Sequence, residues 1–167
     1  MRLLIVRHAA AVEAGTPAFS EETRPLTPDG EKKFKIAAQG LARIAEAPRA
    51  LLTSPLVRAR QTAQIASQAW GRPKPKTLDA LATGSLEDVL DAVREYPDDA
   101  TVAVFGHEPQ VSALLARVLG THASERLGFK KGGAALVELE EGPEHAGRLV
   151  WFLPPGVLRE LAGESSR

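Results

Sequence analysis

The sequence predicts an α/β fold: a three-layer α/β/α sandwich with a largely parallel central sheet. Three observations predict it. Short apolar runs rich in branched side chains alternate with longer segments whose apolar residues recur at helical spacing. The runs at 2–6 and 101–105 are apolar almost throughout, the pattern of strands covered by helices on both faces. Two further strand-like runs close the chain as a pair.

Each element has its own signal. Residues 2–6 form the first strand. Residues 9–25 have no period and contain Gly15, Pro17 and Pro25, so they read as a long loop, which in a compact domain is usually functional or mobile. Thr27-Pro28-Asp29-Gly30-Glu31 reads as a helix start: Thr27 can cap, Pro28 suits the first position, and Asp29 and Glu31 complement the dipole. Phe34, Ala37, Ala38, Leu41, Ile44 and Ala45 share one face of that helix, and Pro48 ends the run. Ala50-Leu51-Leu52-Thr53 is a second strand. The next helix is expected from Ser54-Pro55, with Ser54 as its cap, and ends at Gly71 and Pro73. Lys76-Thr77-Leu78 reads as a short strand. Ser85 opens a helix expected to reach Tyr96 before Pro97. The strand at 101–105 leads through Gly106-His107-Glu108-Pro109 into a helix with Val111, Leu114, Leu115, Val118 and Leu119 inward. Residues 134–139 and 148–153 are the closing pair, around Gly142-Pro143. Residues 1–160 are expected as one domain and 161–167 as a frayed end.

Composition excludes several function classes. A chain of 167 residues suits one domain and buries roughly 70% of its unfolded surface. Lys+Arg and Asp+Glu both number 21, whereas a general nucleic-acid binder carries a basic excess, so no nucleic acid is expected as partner. Cysteine is absent, which excludes disulfides, thiolate nucleophiles and cysteine metal sites. The apolar runs are too short for a membrane span, and no signal-peptide pattern opens the chain. A cytoplasmic protein is expected, without membrane attachment. No apolar stripe stands apart from the core periodicity, which suits a monomer or weak oligomer.

Ligand sites of open α/β sheets lie beyond the carboxyl ends of the strands. The polar residues there are Arg7-His8 after the first strand, Ser54 with Arg58 one turn onward after the second, and His107-Glu108 after the strand at 101–105. Taken singly, each has a bland reading as a loop residue, a cap or a solvated charge. Competing motifs are missing: no phosphate-binding Gly-x-x-x-x-Gly-Lys, no Gly-x-Gly-x-x-Gly after the first strand, no His-Glu-x-x-His and no Gly-x-Ser-x-Gly. His122 and His145 lack metal-ligand spacing. Asp98-Asp99 reads as a solvated turn and Lys130-Lys131 as a solvated loop pair.

Four segments carry a family resemblance. Leu4-Ile5-Val6-Arg7-His8-Ala9 resembles the Arg-His-Gly motif that opens the histidine phosphatase superfamily. Arg24-Pro25-Leu26-Thr27-Pro28-Asp29-Gly30 resembles the segment that starts that family's first helix. Thr53-Ser54-Pro55-Leu56-Val57-Arg58-Ala59-Arg60-Gln61-Thr62-Ala63 is similar to its Ser-Pro-x-x-Arg-Ala-x-Gln-Thr signature. Val104-Phe105-Gly106-His107-Glu108-Pro109 resembles the segment with its second histidine. The short chain points to the SixA-like phosphohistidine phosphatase branch and a phosphoglycerate mutase-like fold.

The resemblance implies a mechanism. His8 would attack phosphorus and become a phosphohistidine, which water then hydrolyses. That requires one neutral ring nitrogen, with the other donating to a backbone carbonyl or similar acceptor. Arg7, Arg58 and His107 would surround the phosphoryl oxygens, since a guanidinium makes paired, charge-assisted bonds to phosphate. Arg24 would lie near the phosphate and bind substrate. Neither metal nor cofactor is needed with such a cluster. Ala9 stands where the family has glycine, which is tolerable if the backbone there avoids positive φ. For the general acid, Glu108 is preferred over Asp79. The expected substrate is a phosphohistidine on a partner protein, a histidine phosphotransfer domain or a phosphocarrier. A small-molecule phosphate-ester phosphatase and a non-catalytic phospho-binding module are the alternatives.

Overall fold

The computed structural model describes residues 1–71 and 74–163. Strand β1 (Arg2–Arg7) shows why the sheet lies at the centre: its charged ends bracket Leu3, Leu4, Ile5 and Val6, all without solvent exposure. The chain continues through α1 (Pro28–Ile44), β2 (Ala50–Thr53), α2 (Val57–Trp70), β3 (Lys76–Thr77), α3 (Ala80–Thr83) and α4 (Leu86–Arg94). Then come β4 (Thr101–Gly106), α5 (Gln110–Leu119), a 3-10 turn at Ser124–Arg126, β5 (Ala134–Glu138), β6 (Arg148–Leu153) and α6 (Pro155–Leu161).

The six strands form one sheet in the order β3-β2-β4-β1-β5-β6. β1 and β4, β2 and β4, and β2 and β3 pair in parallel, while β5 and β6 add an antiparallel edge. Alternate residues of the central strands point to opposite faces. Leu4, Val6, Ala103 and Phe105 pack with Phe34 and Leu41 of α1, Ala63 and Ala66 of α2 and Leu158 of α6. Leu3, Ile5, Val102 and Val104 pack with Val89, Leu90 and Val93 of α4 and Val111, Leu114 and Leu115 of α5. Helices therefore cover both faces, and the three-layer expectation holds.

The helix starts follow the sequence chemistry in two places. Thr27 Oγ1 accepts from the Gly30 N–H at 2.9 Å, with Pro28 at the first helical position. Ser85 and Asp88 form a reciprocal capping box at α4. Elsewhere the structure differs. Helix α2 begins at Val57, and Leu56 is its cap without a side-chain bond, so Ser54 is not the cap. Helix α4 ends at Arg94, not Tyr96. The short α3 and the closing α6 are additions. Helix α6 lies against α1 at Gly40, where a Cβ would come within 1.8 Å of the Leu158 carbonyl oxygen. Leu161 closes α6 and Ala162 is buried. The rest of the end expected to fray, 164–167, and the expected helix-ending Pro73 lie outside the described residues. Among the described residues no helix is long and apolar enough to cross a membrane.

Candidate active site

Strand register brings the site together. Arg7 pairs with Gly106, and Thr53 with Phe105. His8 then donates its N–H to the Gly106 carbonyl, and Ser54 donates to that of Phe105, both at 3.0 Å. The three strand ends thus deliver His8, Ser54 and His107 to one edge. A cavity of about 470 Å³ opens there, lined by Arg7, His8, Ala11, Glu13, Ala14, Glu21, Arg24, Arg58, His107, Glu108 and Lys131.

His8 is buried and its Nδ1 lies 2.7 Å from the Ala9 carbonyl. A carbonyl only accepts, so Nδ1 carries the proton and Nε2 keeps its lone pair. Burial, with smaller contributions from His107, Arg58 and Arg7 and against the raising pull of the Ala9 carbonyl, lowers the imidazole pKa to about 3. The ring is neutral at any ordinary pH. Helix α2 secures the turn: the Ala9 N–H donates to Thr62 Oγ1 at 3.0 Å, and Thr62 donates to the Arg58 carbonyl. No non-glycine residue among those described has positive φ, so Ala9 is unstrained in the family's glycine position.

His107 faces His8 with ring centroids 5.1 Å apart and planes tilted by 53°. Its Nε2 lies 2.7 Å from Ser54 Oγ, while Nδ1 is buried without a partner. Burial, then Arg58, lower its pKa to about 4. Ser54, expected as a cap, instead sits fully buried at the end of β2, holding His107 and accepting from the Leu56 N–H.

Arg7 donates Nη1 to the Phe129 carbonyl at 2.6 Å, and its Nε is buried without a partner. Arg58 donates Nη1 to the Glu21 carbonyl at 2.6 Å and Nη2 to Glu21 Oε1 at 2.7 Å. Its Nε is likewise buried and unpartnered. Arg24 also lines the cavity; its Nε and Nη2 hold the Glu21 carboxylate, and its Nη1 the Val12 carbonyl. Glu108 lines the cavity too. Its Oε2 accepts from Ser112 Oγ, and Oε1 is buried without a partner. Asp79 is exposed beside α3, away from the cavity lining. The structure therefore brings together Arg7, His8, Arg24, Arg58, His107 and Glu108.

Glu21 and Lys131 were not expected here, and Ser54, placed at this edge by its strand end, was expected as a cap. Ser54 resembled a cap because Ser-Pro commonly opens helices. Lys131 is exposed, as a solvated residue should be, yet lines the cavity. Glu21 lies in an aperiodic loop, and its one local signal is the spacing of three to Arg24. Among the described residues no group of three or more His, Asp or Glu is placed to hold a metal ion.

Known proteins resemble this chain in sequence and fold. The family model of the histidine phosphatase superfamily (branch 1) matches residues 3–86. An uncharacterized protein of Picosynechococcus sp. is 35% identical over 136 residues, covering 80% of this chain and 82% of its own. The structure of the protein histidine phosphatase SixA complexed with tungstate superposes with a TM-score of 0.82 at 26% identity, over 95% of this chain and 99% of its own. A structure assigned to the phosphohistidine phosphatase SixA of Agrobacterium tumefaciens gives 0.78 at 28% identity, over 93% and 98%. Sequence, strand-end chemistry and fold agree, and the chain belongs to the histidine phosphatase superfamily, branch 1, as a SixA-like phosphatase.

Proposed function

We propose that the protein hydrolyses phosphohistidine on a partner protein, through transfer of the phosphoryl group to His8. One observation carries this reading: His8, neutral and with Nδ1 committed to the Ala9 carbonyl, shares a cavity with Arg7, Arg58 and His107, each of which keeps a buried nitrogen without a protein partner, Arg7 Nε, Arg58 Nε and His107 Nδ1. Orphaned buried donors are costly unless a ligand satisfies them. Three around a nucleophile suit the three equatorial oxygens of a transferring phosphoryl group.

The Nε2 lone pair forms a bond to phosphorus as the bond to the substrate nitrogen breaks. The departing imidazole takes up a proton. Water then attacks phosphorus, the His8 bond breaks, and inorganic phosphate leaves. Arg7, Arg58 and His107 stabilise the charge of both transition states. For His107 this assigns the proton to Nδ1, with the Ser54 hydroxyl donating to Nε2.

The position of Glu108 favours a second reading. An alkoxide needs a proton from an acid, and the Glu108 carboxylate lines the cavity. That supports activity on a small phosphate ester. A phosphoramidate nitrogen is itself basic and depends less on such an acid. Phosphate release from a phosphohistidine protein and from para-nitrophenyl phosphate, with a chelator present and His8→Ala as control, separates the readings. Faster release from phosphohistidine, abolished by His8→Ala, is the expected result. Release mainly from the ester overturns the protein substrate. Binding without turnover, with no phosphorylated His8 trapped, leaves a phospho-binding module.

A further inference from the structure

Glu21 is a loop carboxylate whose side chain is 58% exposed, yet it holds Arg58, whose side chain is only 5% exposed. The contact is double: the Glu21 backbone carbonyl accepts from Nη1 and the side-chain Oε1 from Nη2. The same Oε1 accepts from Arg24 Nη2 at 2.7 Å, and Oε2 accepts from Arg24 Nε at 2.9 Å. One carboxylate therefore clamps two guanidinium groups.

The loop that carries it is anchored. The Val57 N–H, at the start of α2, donates to the Glu22 carbonyl at 3.1 Å, and the Thr23 and Arg24 N–H groups both donate to the Ser20 carbonyl. The carboxylate is ionised well into the acid range, because the Arg24 hydrogen bond holds it below the usual carboxylate value. The clamp thus persists wherever the protein is folded and near neutrality.

A guanidinium presents its N–H groups in a rigid plane. Glu21 takes the terminal nitrogens of Arg58. The edge left over carries Nε, which is buried without a partner, and Arg58 lines the cavity that holds His8. A long side chain fixed before substrate arrives need not be ordered during the reaction.

We propose that Glu21 is a positioning residue for phosphoryl transfer: by clamping the terminal nitrogens of Arg58 against Arg24, it presents the Nε edge of Arg58 to the phosphoryl group at His8. This rests on the phosphatase reading for its reaction, but its geometry requires only a phosphate in the cavity. Arg24 then acts through Glu21, as the second anchor of the clamp.

The test compares wild type with Glu21→Ala and Glu21→Gln. Turnover is measured on a phosphohistidine protein and on para-nitrophenyl phosphate, with melting temperature as the folding control. The Arg58 Nε–H resonance of 15N-labelled protein is followed during titration with inorganic phosphate. Glu21→Ala should lower kcat about tenfold or more, the scale on which second-layer partners act. Glu21→Gln keeps one acceptor for Arg58 and should fall between the two. The Nε–H resonance should respond to phosphate in wild type and lose that response in Glu21→Ala. Should Glu21→Ala fail to fold, the glutamine variant and its resonance decide. Wild-type kcat in Glu21→Ala overturns the proposal. So does tighter phosphate binding with turnover retained, since the carboxylate would then be a competitor for the phosphate position. A wild type inert toward phosphohistidine sinks the protein-substrate reading alone, because the ester and resonance readouts still report on the clamp.

Discussion

Replacing His8 with asparagine tests whether the fold holds the nucleophile neutral. Burial lowers the imidazole from 6.5 to about 3. Below pH 6.5 the unfolded chain binds a proton at this position that the native state refuses. Proton uptake therefore favours unfolding, and stability falls as pH falls across that interval. Each pH unit corresponds to about 1.4 kcal/mol. By pH 4.5 the loss attributable to His8 reaches about 3 kcal/mol, and at the folded pKa of about 3 it is about 4 kcal/mol. Asparagine can still donate an amide N–H toward the Ala9 carbonyl, but it does not titrate. Carboxylates with lowered values, such as Glu21, also lose stability toward acid, and so does His107. Those contributions are common to both proteins and cancel in the difference. Urea unfolding of both, at steps from pH 7.5 to 4.5, should show the wild-type curve descending more steeply. Whatever constant offset the substitution adds is irrelevant, since the slope carries the result. Parallel curves would refute the claim that burial keeps His8 unprotonated.

Substitutions at three positions probe the rest of the site and its scaffold. Arg58→Ala should cost about a hundredfold or more in kcat/KM on para-nitrophenyl phosphate. Arg58→Lys should recover little, because an ammonium lacks the paired edge; full activity in the lysine variant would mean that charge alone suffices. Ser54→Ala removes the hydroxyl bonded to His107, at about 1 kcal/mol or roughly fivefold in kcat, and unchanged kinetics would show that His107 is oriented without it. Gly40→Ala places a methyl 1.8 Å from the Leu158 carbonyl oxygen, which must drive α6 from α1 and destabilise by about 2–3 kcal/mol in urea unfolding. A loss below about 0.5 kcal/mol, the ordinary range for surface changes, would mean that the helices separate freely.

What the sequence revealed was what local chemistry encodes. Thr27-Pro28 and Ser85 with Asp88 marked their helix starts because caps act within four residues. Helices α3 and α6 span four and seven residues, too short for a repeating apolar face to register. Ser54 was misplaced because a Ser-Pro step also fits an extended segment, and its hydroxyl is used by a histidine 53 residues away. Arg7, His8, Arg58 and His107 were legible because strand ends are where such sheets bind ligands, and because the family motifs coincide there. Glu21 was not, since its partners Arg24 and Arg58 meet it only through the path of the long loop. Glu108, preferred over Asp79 from the sequence, lines the cavity, whereas Asp79 is exposed.

The chemistry depends on register more than on any single contact. β4 lies between β1 and β2, so a shift of β1 by one residue would separate His8 from His107 while leaving most hydrogen bonds to be remade. What resists the shift is the composition of the strand. Both faces of β1 are apolar, Leu4 and Val6 facing one cluster and Leu3 and Ile5 the other. Apolar alternation alone would tolerate exchange of the two faces. The charged ends do not: Arg2 pairs with Thr101 at the sheet entrance and Arg7 with Gly106 at its exit. A slip in either direction draws one guanidinium toward the buried interior, where an unpaired charge costs far more than a misplaced methyl. Arg7 is thereby a register lock as well as a cavity donor. The same four-residue apolar run that builds the core also sets the 5.1 Å between the two imidazoles.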